Sequence, residues 1–348
     1  MIETGPRNLI TDVAGLHVGS IHDGKLASGV TAIVFDALSP IAAAVFGGGP
    51  GTRELEAISL DGSIGGADAI VISGGSAFGL DAATGAQSYL REQGRGVAVG
   101  SARVPIVPGA ILFDLLNGGD KNWGRFPPYR DMGYGAASRA AQDFELGAAG
   151  AAFGATVAVG PGKRMRGGLG SASELLSGIA HEGGAKVTVG ALAAVNAVGA
   201  VTIGGTRHFW AAPLEAGNEF GGLGLPHPWP AEASLPVTKI GSLAGANTTL
   251  CIVATDAALS QAQCKRLATM AAAGMARAIF PVFTPYDGDI VFAVSTGATP
   301  LRDPQQSLVR IGASLANCLS RAIARGVYAA SGPLPDGTPS YRDLFPAQ

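Results

Sequence analysis

Thr248 is the residue whose setting first suggests chemistry. The run Ala244-Gly245-Ala246-Asn247-Thr248-Thr249-Leu250 closes a long Gly- and Pro-rich stretch and opens a β-rich one. A hydroxyl at the first position of a strand, behind a loop able to move away, is what a self-processing N-terminal nucleophile requires. Attack of the Thr248 hydroxyl on the Asn247 carbonyl gives an ester by an N-to-O acyl shift. Hydrolysis of that ester frees the Thr248 α-amine. Such an amine has a pKa of about 7.7–8.0, so near neutral pH part of it can act as base. Nucleophile and base then share one residue, and no histidine is needed. The same pattern also fits a plain turn before a strand, because Asn and Gly favour turns. Taken alone it leans that way.

Asp287 and Asp289 form a second cluster, in Pro281-Val282-Phe283-Thr284-Pro285-Tyr286-Asp287-Gly288-Asp289, just before the apolar run Ile290–Val294. Two carboxylates two positions apart at a strand entrance can project to the same side. There they could orient a nucleophile and hold its amine in the needed protonation state, and each raises the pKa of the other. A simple turn is the alternative. An EF-hand is not, since the remaining oxygen ligands and the Glu at loop position 12 are missing.

Other motifs fail. Gly74-Gly75-Ser76-Ala77-Phe78-Gly79 does not have the dinucleotide-binding glycine spacing. Gly162-Lys163 is followed by Arg164 and lacks the earlier glycine of a P-loop. There is no GxSxG elbow. The histidines His17, His22, His181, His208 and His227 are scattered, without a metal-ligand pair. Cys251, Cys264 and Cys318 are odd in number and irregularly spaced, so they read as core residues rather than a disulfide framework.

The elements that must position these residues are a mixture of strands and helices without regular alternation. Short strands are expected at 30–35, 43–46, 69–73, 187–194, 200–203, 248–254 and 290–295. Helices are expected at 79–93, 135–146, 171–181, 259–279 and 305–329. Residues 213–246 are irregular, and segments of that length are usually functional. The physical expectation is a layered α/β fold with helices covering buried sheets. With 348 residues, 47% hydrophobic and 14% charged, the chain is too apolar to be disordered. Lys+Arg 24 against Asp+Glu 26 leaves no basic surplus for nucleic acid. The uncharged stretch from Val187 to Thr206 is long enough to span a bilayer. Its Val and Gly content, with Asn196 and Gly199, fits two buried strands around a turn better. The N-terminus lacks the pattern of a signal peptide, so the cytoplasm is the expected compartment.

The run from Gly245 to Gly297, GANTTLCIVATDAALSQAQCKRLATMAAAGMARAIFPVFTPYDGDIVFAVSTG, resembles the C-terminal part of the L-aminopeptidase/D-esterase family. That family includes β-peptidyl aminopeptidases and nylon-oligomer (6-aminohexanoate) endohydrolases. NLITDVAGLHVGS, FGGGPGTRE, ISGGSAFGLDAATG and VPIVPGAILFDLL resemble its earlier segments, in order. The resemblance covers nearly the whole chain and reverses the preference for a plain turn at Asn247-Thr248.

The resemblance implies an αββα sandwich related to N-terminal-nucleophile hydrolases, formed by a single domain of residues 1–348. It implies self-cleavage between Asn247 and Thr248, into an α chain 1–247 and a β chain 248–348. Thr248 matches the nucleophile, Asp287 and Asp289 the acidic pair, and Asn196 an asparagine that helps bind the oxyanion. Thr248 and the aspartate pair look more like the nylon-oligomer hydrolases than like the aminopeptidases. Lys163 resembles a lysine near the nucleophile, and it reads equally well as a surface residue of its own loop. Phe113 stands where some members have a tyrosine whose hydroxyl serves the oxyanion, a bond that a phenyl ring cannot donate.

The expected activity is therefore that of a self-activating aminopeptidase or amidohydrolase on short peptides, amides and esters. An acyl-enzyme on Thr248 would be the intermediate. A 6-aminohexanoate-oligomer endohydrolase, an ornithine-type acetyltransferase and an inactive scaffold are the alternatives. No metal or organic cofactor, no nucleic acid and no membrane is expected. A homo-oligomer, as a tetramer of αβ units, is.

Overall fold

The structure, a computed structural model, describes residues 2–239 and 247–346. In chain order it contains β1 (Leu16–Asp23), β2 (Ser28–Ser39), β3 (Ile41–Val45), β4 (Thr52–Arg53), β5 (Ala67–Ser73) and α1 (Ala82–Glu92). Then come β6 (Val97–Val99), β7 (Ala102–Val104), β8 (Gly109–Ile111), α2 (Tyr129–Ser138), β9 (Thr156–Gly160), β10 (Lys163–Arg166), β11 (Gly168–Ser177) and β12 (Lys186–Asn196). The chain ends with β13 (Thr248–Ala257), α3 (Gln261–Ala276), β14 (Ile290–Thr299), α4 (Pro304–Ala329) and the short α5 (Tyr341–Leu344).

Two five-stranded sheets stack face to face. The first runs β1-β2-β5-β8-β4 and the second β11-β12-β13-β14-β3. Ile33, Phe35, Ile70 and Ile72 of the first sheet pack against Leu192, Leu250, Ile252 and Phe292 of the second in one buried cluster. On the outer face of the first sheet, Val30, Ala32 and Val71 meet Ala82, Ala86, Leu90 and Met132 of α1 and α2. On the outer face of the second, Ala191, Val253 and Val291 meet Leu267, Met275, Leu315 and Leu319 of α3 and α4. Helix, sheet, sheet, helix is the αββα order implied by the resemblance. Pro40 alone separates β2 in one sheet from β3 in the other. Both helices over the second sheet are capped: Ser260 accepts from the Gln263 N–H, and Asp303 accepts from those of Gln305 and Gln306.

Three expectations change. Residues 171–181 are not a helix, because β11 pairs in register with β12, Ser171 opposite Leu192 and Ser177 opposite Lys186. Its glycines let α4 lie against the strand: a Cβ on Gly170 would stand 1.8 Å from the Ala322 carbonyl oxygen, and one on Gly168 1.9 Å from that of Gly326. The helix expected at 135–146 is instead Tyr129–Ser138, begun by the proline pair at 127–128. In the stretch 187–206 only β12 is a full strand, and Ala200 and Thr202 form isolated bridges. No helix among the described residues is long and apolar enough to cross a membrane.

Candidate active site

Three neighbouring strands bring the candidate residues to one end of the second sheet. β12 ends at Asn196 and β13 begins at Thr248, and the two residues are direct partners in the antiparallel ladder. β14 runs parallel to β13 with Ile290 beside Leu250, so the turn that carries Asp287 and Asp289 lies at the same end. Register alone therefore gathers Asn196, Asn247, Thr248, Asp287 and Asp289.

Thr248 is 3% exposed. Its Oγ1 donates to the Asn247 carbonyl oxygen, the oxygen of the bond expected to be cut. The Gly288 N–H donates to that same oxygen at 2.9 Å. A Cβ on Gly288 would stand 2.6 Å from Thr248 Oγ1 and 2.8 Å from the Gly49 carbonyl oxygen, so only glycine fits. The FGGG run explains itself here. The Phe46 and Gly47 N–H groups donate to the Asp289 carbonyl oxygen at 2.9 and 3.2 Å, and Gly49 N–H to that of Asp287 at 2.8 Å. A Cβ on Gly47 would meet the Asp287 oxygen at 2.2 Å. Among the described residues the side-chain nitrogen of Asn247 is buried with no hydrogen-bond partner, an arrangement that costs about 1–3 kcal/mol.

Both carboxylates are buried and fully engaged. Asp289 accepts from the Thr249 N–H at 2.7 Å and the Phe283 N–H at 3.1 Å. Burial, and then the neighbouring Asp287, raise its pKa to about 7 against these hydrogen bonds. Asp287 accepts from the Val198 N–H at 3.1 Å, from the Thr284 N–H at 3.1 Å and from Thr284 Oγ1 at 2.6 Å.

The lysine that joins this cluster is Lys239. Its Nζ donates to the Thr156 carbonyl oxygen at 2.5 Å, Thr156 Oγ1 at 2.9 Å and Asn196 Oδ1 at 3.1 Å. Burial lowers its pKa to about 7, with Asp287 opposing the shift and Arg164 adding to it. Asn196 Oδ1 also accepts from the Thr156 N–H at 2.9 Å, which fixes the amide with its nitrogen on the other side, donating to the Phe113 carbonyl oxygen at 3.0 Å. Lys163 stands apart: it begins β10, pairs with Gly160 and has an exposed side chain. Phe113 contributes its carbonyl and part of a cavity wall, not a hydroxyl.

Beside Asn247 lies a cavity of about 120 Å³, lined also by Phe113, Asp114, Leu116, Thr156, Arg164 and Lys239. The Asp114 carboxyl accepts from Ser28 Oγ at 2.6 Å and from the Gly75 N–H at 2.7 Å, and burial raises its pKa to about 6. Among the described residues no group of three His, Cys, Asp or Glu could hold a metal ion.

Sequence reading missed Lys239, Gly288 and Asp114. A signal for Lys239 existed, since it is the one charged residue between Glu232 and Asp256. A lone charge in so long an apolar and neutral stretch has to find partners.

Residues 8–333 match the pattern of peptidase family S58. The chain belongs to that family. An uncharacterized aminopeptidase of Mycobacterium tuberculosis is 40% identical to this S58 chain, over 97% of it and 98% of the relative. A 6-aminohexanoate-oligomer endohydrolase of a Kocuria species is 28% identical, over 84% and 76%. The solved L-aminopeptidase D-Ala-esterase/amidase of Ochrobactrum anthropi, described as a variant of the N-terminal-nucleophile hydrolase fold, superposes with a TM-score of 0.66. It covers 99% of this chain and 94% of its own at 21% identity, which establishes a shared fold. The S58 chain is thus a hydrolase of the layered N-terminal-nucleophile architecture.

Proposed function

We propose that this S58 chain is a self-processing amidohydrolase of short peptides, amides and esters, with Thr248 as nucleophile. The observation that carries the reading is the contact of Thr248 Oγ1 with the Asn247 carbonyl, whose oxygen the Gly288 N–H holds. In the first reaction Oγ1 attacks the Asn247 carbonyl carbon and charge gathers on that oxygen, where the Gly288 N–H stabilises it. The C–N bond breaks, the hydroxyl proton passes to the departing nitrogen, and an ester joins Asn247 to Thr248. Water then hydrolyses the ester and leaves an Asn247 carboxylate and a free Thr248 α-amine. The buried Asn247 side-chain nitrogen, without a partner among the described residues, gains solvent if this end departs.

In turnover the α-amine takes the Oγ1 proton as Oγ1 attacks a substrate carbonyl, and returns it to the leaving amine or alcohol. Water releases the acyl group. Asp289 lies beside this centre with its carboxylate fixed by two N–H groups, and serves to hold the amine. Lys239 keeps the Asn196 amide oriented. Intact mass of freshly purified protein, followed over time, tests the reading. Two species splitting after Asn247 are expected, whereas Thr248→Ala should remain one chain and not turn over p-nitrophenyl acetate. Cleavage and hydrolysis that both survive Thr248→Ala would overturn it. Acetyl release from N-acetylornithine would mark an acetyltransferase instead, and a stable, inert single chain a scaffold.

A further inference from the structure

A second cavity, of about 490 Å³, shares no wall residue with the one beside Asn247. Small-molecule sites occupy about 300–1,000 Å³ and are mostly apolar and aromatic, with a few placed polar groups. This one is walled by rings. Tyr328 comes from the last turn of α4, Tyr341 from the start of α5, and Phe345 follows α5. Tyr341 lies 5.6 Å from Tyr328 and 5.1 Å from Phe345 between ring centres, and the buried Phe209 backs it at 4.9 Å. The capping box of Ser340 and Asp343 starts α5. The Tyr341 hydroxyl donates to the Arg207 carbonyl oxygen at 2.6 Å, which ties the loop before Phe209 to α5 and brings Arg207 to the wall.

Two guanidinium groups, of Arg207 and Arg342, complete the wall, and no carboxylate among the described residues joins them there. The Arg207 Nε is buried with no partner among the described residues. Arg342 donates from Nε to the Tyr328 carbonyl oxygen at 3.2 Å and lies 5.0 Å above the centre of the Tyr328 ring. The acids beside the cavity serve their own turns. Glu215, whose charge reaches Tyr341, accepts from the Phe220 and Gly222 N–H groups at 2.8 and 2.9 Å. Asp343, next to Arg342 in the chain, accepts from the Ser340 N–H and hydroxyl, both at 2.8 Å. An orphaned buried donor and two like charges without a counter-charge call for an anion. A guanidinium takes a carboxylate through paired N–H bonds, and the surrounding rings favour a flat apolar body.

We propose that this cavity binds a small aryl carboxylate, its carboxylate on Arg207 and Arg342 and its ring among Tyr328, Tyr341 and Phe345. A bare ring or a neutral alcohol leaves both guanidinium groups unmatched, and a bare inorganic anion leaves the rings unused. The site is independent of Thr248 and of the reaction assigned to it, so binding is read without turnover, on cut and uncut chain alike.

Isothermal titration calorimetry of the full chain with phenylacetate, benzyl alcohol and inorganic phosphate tests the proposal. Phenylacetate should bind saturably, and benzyl alcohol and phosphate should each be weaker by about tenfold or more. Arg342 is exposed, so Arg342→Gln leaves the fold intact and should weaken phenylacetate about tenfold. Arg207→Gln should do the same with an unchanged circular dichroism spectrum. Phe345→Leu should weaken phenylacetate and leave phosphate as it was. Absence of saturable phenylacetate binding up to about 10 mM overturns the proposal. Benzyl alcohol as tight as phenylacetate reduces the site to an apolar cleft, and phosphate as tight reduces it to a bare anion site; either result overturns it. Phenylacetate affinity unchanged in both arginine variants places the ligand elsewhere on the molecule and overturns it too.

Discussion

Lys239 donates to neutral oxygens, and the Asp287 carboxylate favours its charged form while burial opposes it. Replacing it by methionine keeps the stem and removes the donors. Asn196 Oδ1 then loses one of the donors it has among the described residues, and its amide is held less firmly. Lys239→Met should slow self-cleavage at least tenfold, about 1.4 kcal/mol of barrier. Lys163→Met should leave the rate within twofold, as expected of an exposed side chain. The appearance of the 248–348 fragment by mass spectrometry, timed after purification, reads both. The two lysines also mark what the sequence could and could not convey. Thr248, Asp287 and Asp289 stand out in the sequence because they sit at strand entrances, whereas Asn196 is picked out by the family resemblance alone. Lys239 is only half legible: its isolation in a neutral stretch says that it needs partners, but nothing along an irregular segment says which ones the fold supplies.

At the scale of elements, glycine placement decides which backbones can touch. The acidic turn before β14 is fixed by an N–H donor from each of residues 46–49, and its own glycine leaves room for the Thr248 hydroxyl. Gly47→Ala should therefore block self-cleavage while near-native circular dichroism persists, whereas Gly24→Ala, with open space around it, should change nothing. The same rule governs the outer layer. Gly170→Val drives a side chain into the backbone of α4 and should cost about 3 kcal/mol or more, read as a lowered urea midpoint. This close packing is also why β11 reads as a helix in sequence. Small residues such as Gly168, Gly170 and Ala172 suit helices that pack closely, and a strand buried on both faces loses the two-residue alternation that would identify it. The long apolar helix over that sheet and strands β5, β12, β13 and β14 were legible, since their runs are apolar enough to have no other place.

For the molecule as a whole, the two groups whose pKa values meet near 7 act on stability in opposite directions. Asp289 is raised, so between its ordinary value and about 7 the folded chain binds the extra proton and stability falls as pH rises. Lys239 is lowered, so from about 7 upward the unfolded chain binds more protons and stability rises with pH. The uncut Thr248→Ala chain should have a stability minimum near neutrality from this pair. Asp289→Asn in that background should gain on its parent as pH goes from 4 to 7, as measured by thermal melts. A homo-oligomer remains the expected assembly, and light scattering of the cut protein checks it.

The bond between Asn247 and Thr248 opens the middle strand of a five-stranded sheet. Cutting it leaves both pieces locked together, since β13 stays between β12 and β14 with a buried cluster on each face. What changes is the route back. An intact chain refolds as one molecule at a rate independent of dilution. A cut one must first find its other half, with a strand at the very tip of the second fragment awaiting the slot the first has left. Activation would thus spend the chain's ability to repair itself: each molecule folds once as a monomer of sequence, and afterwards survives only as long as it stays folded.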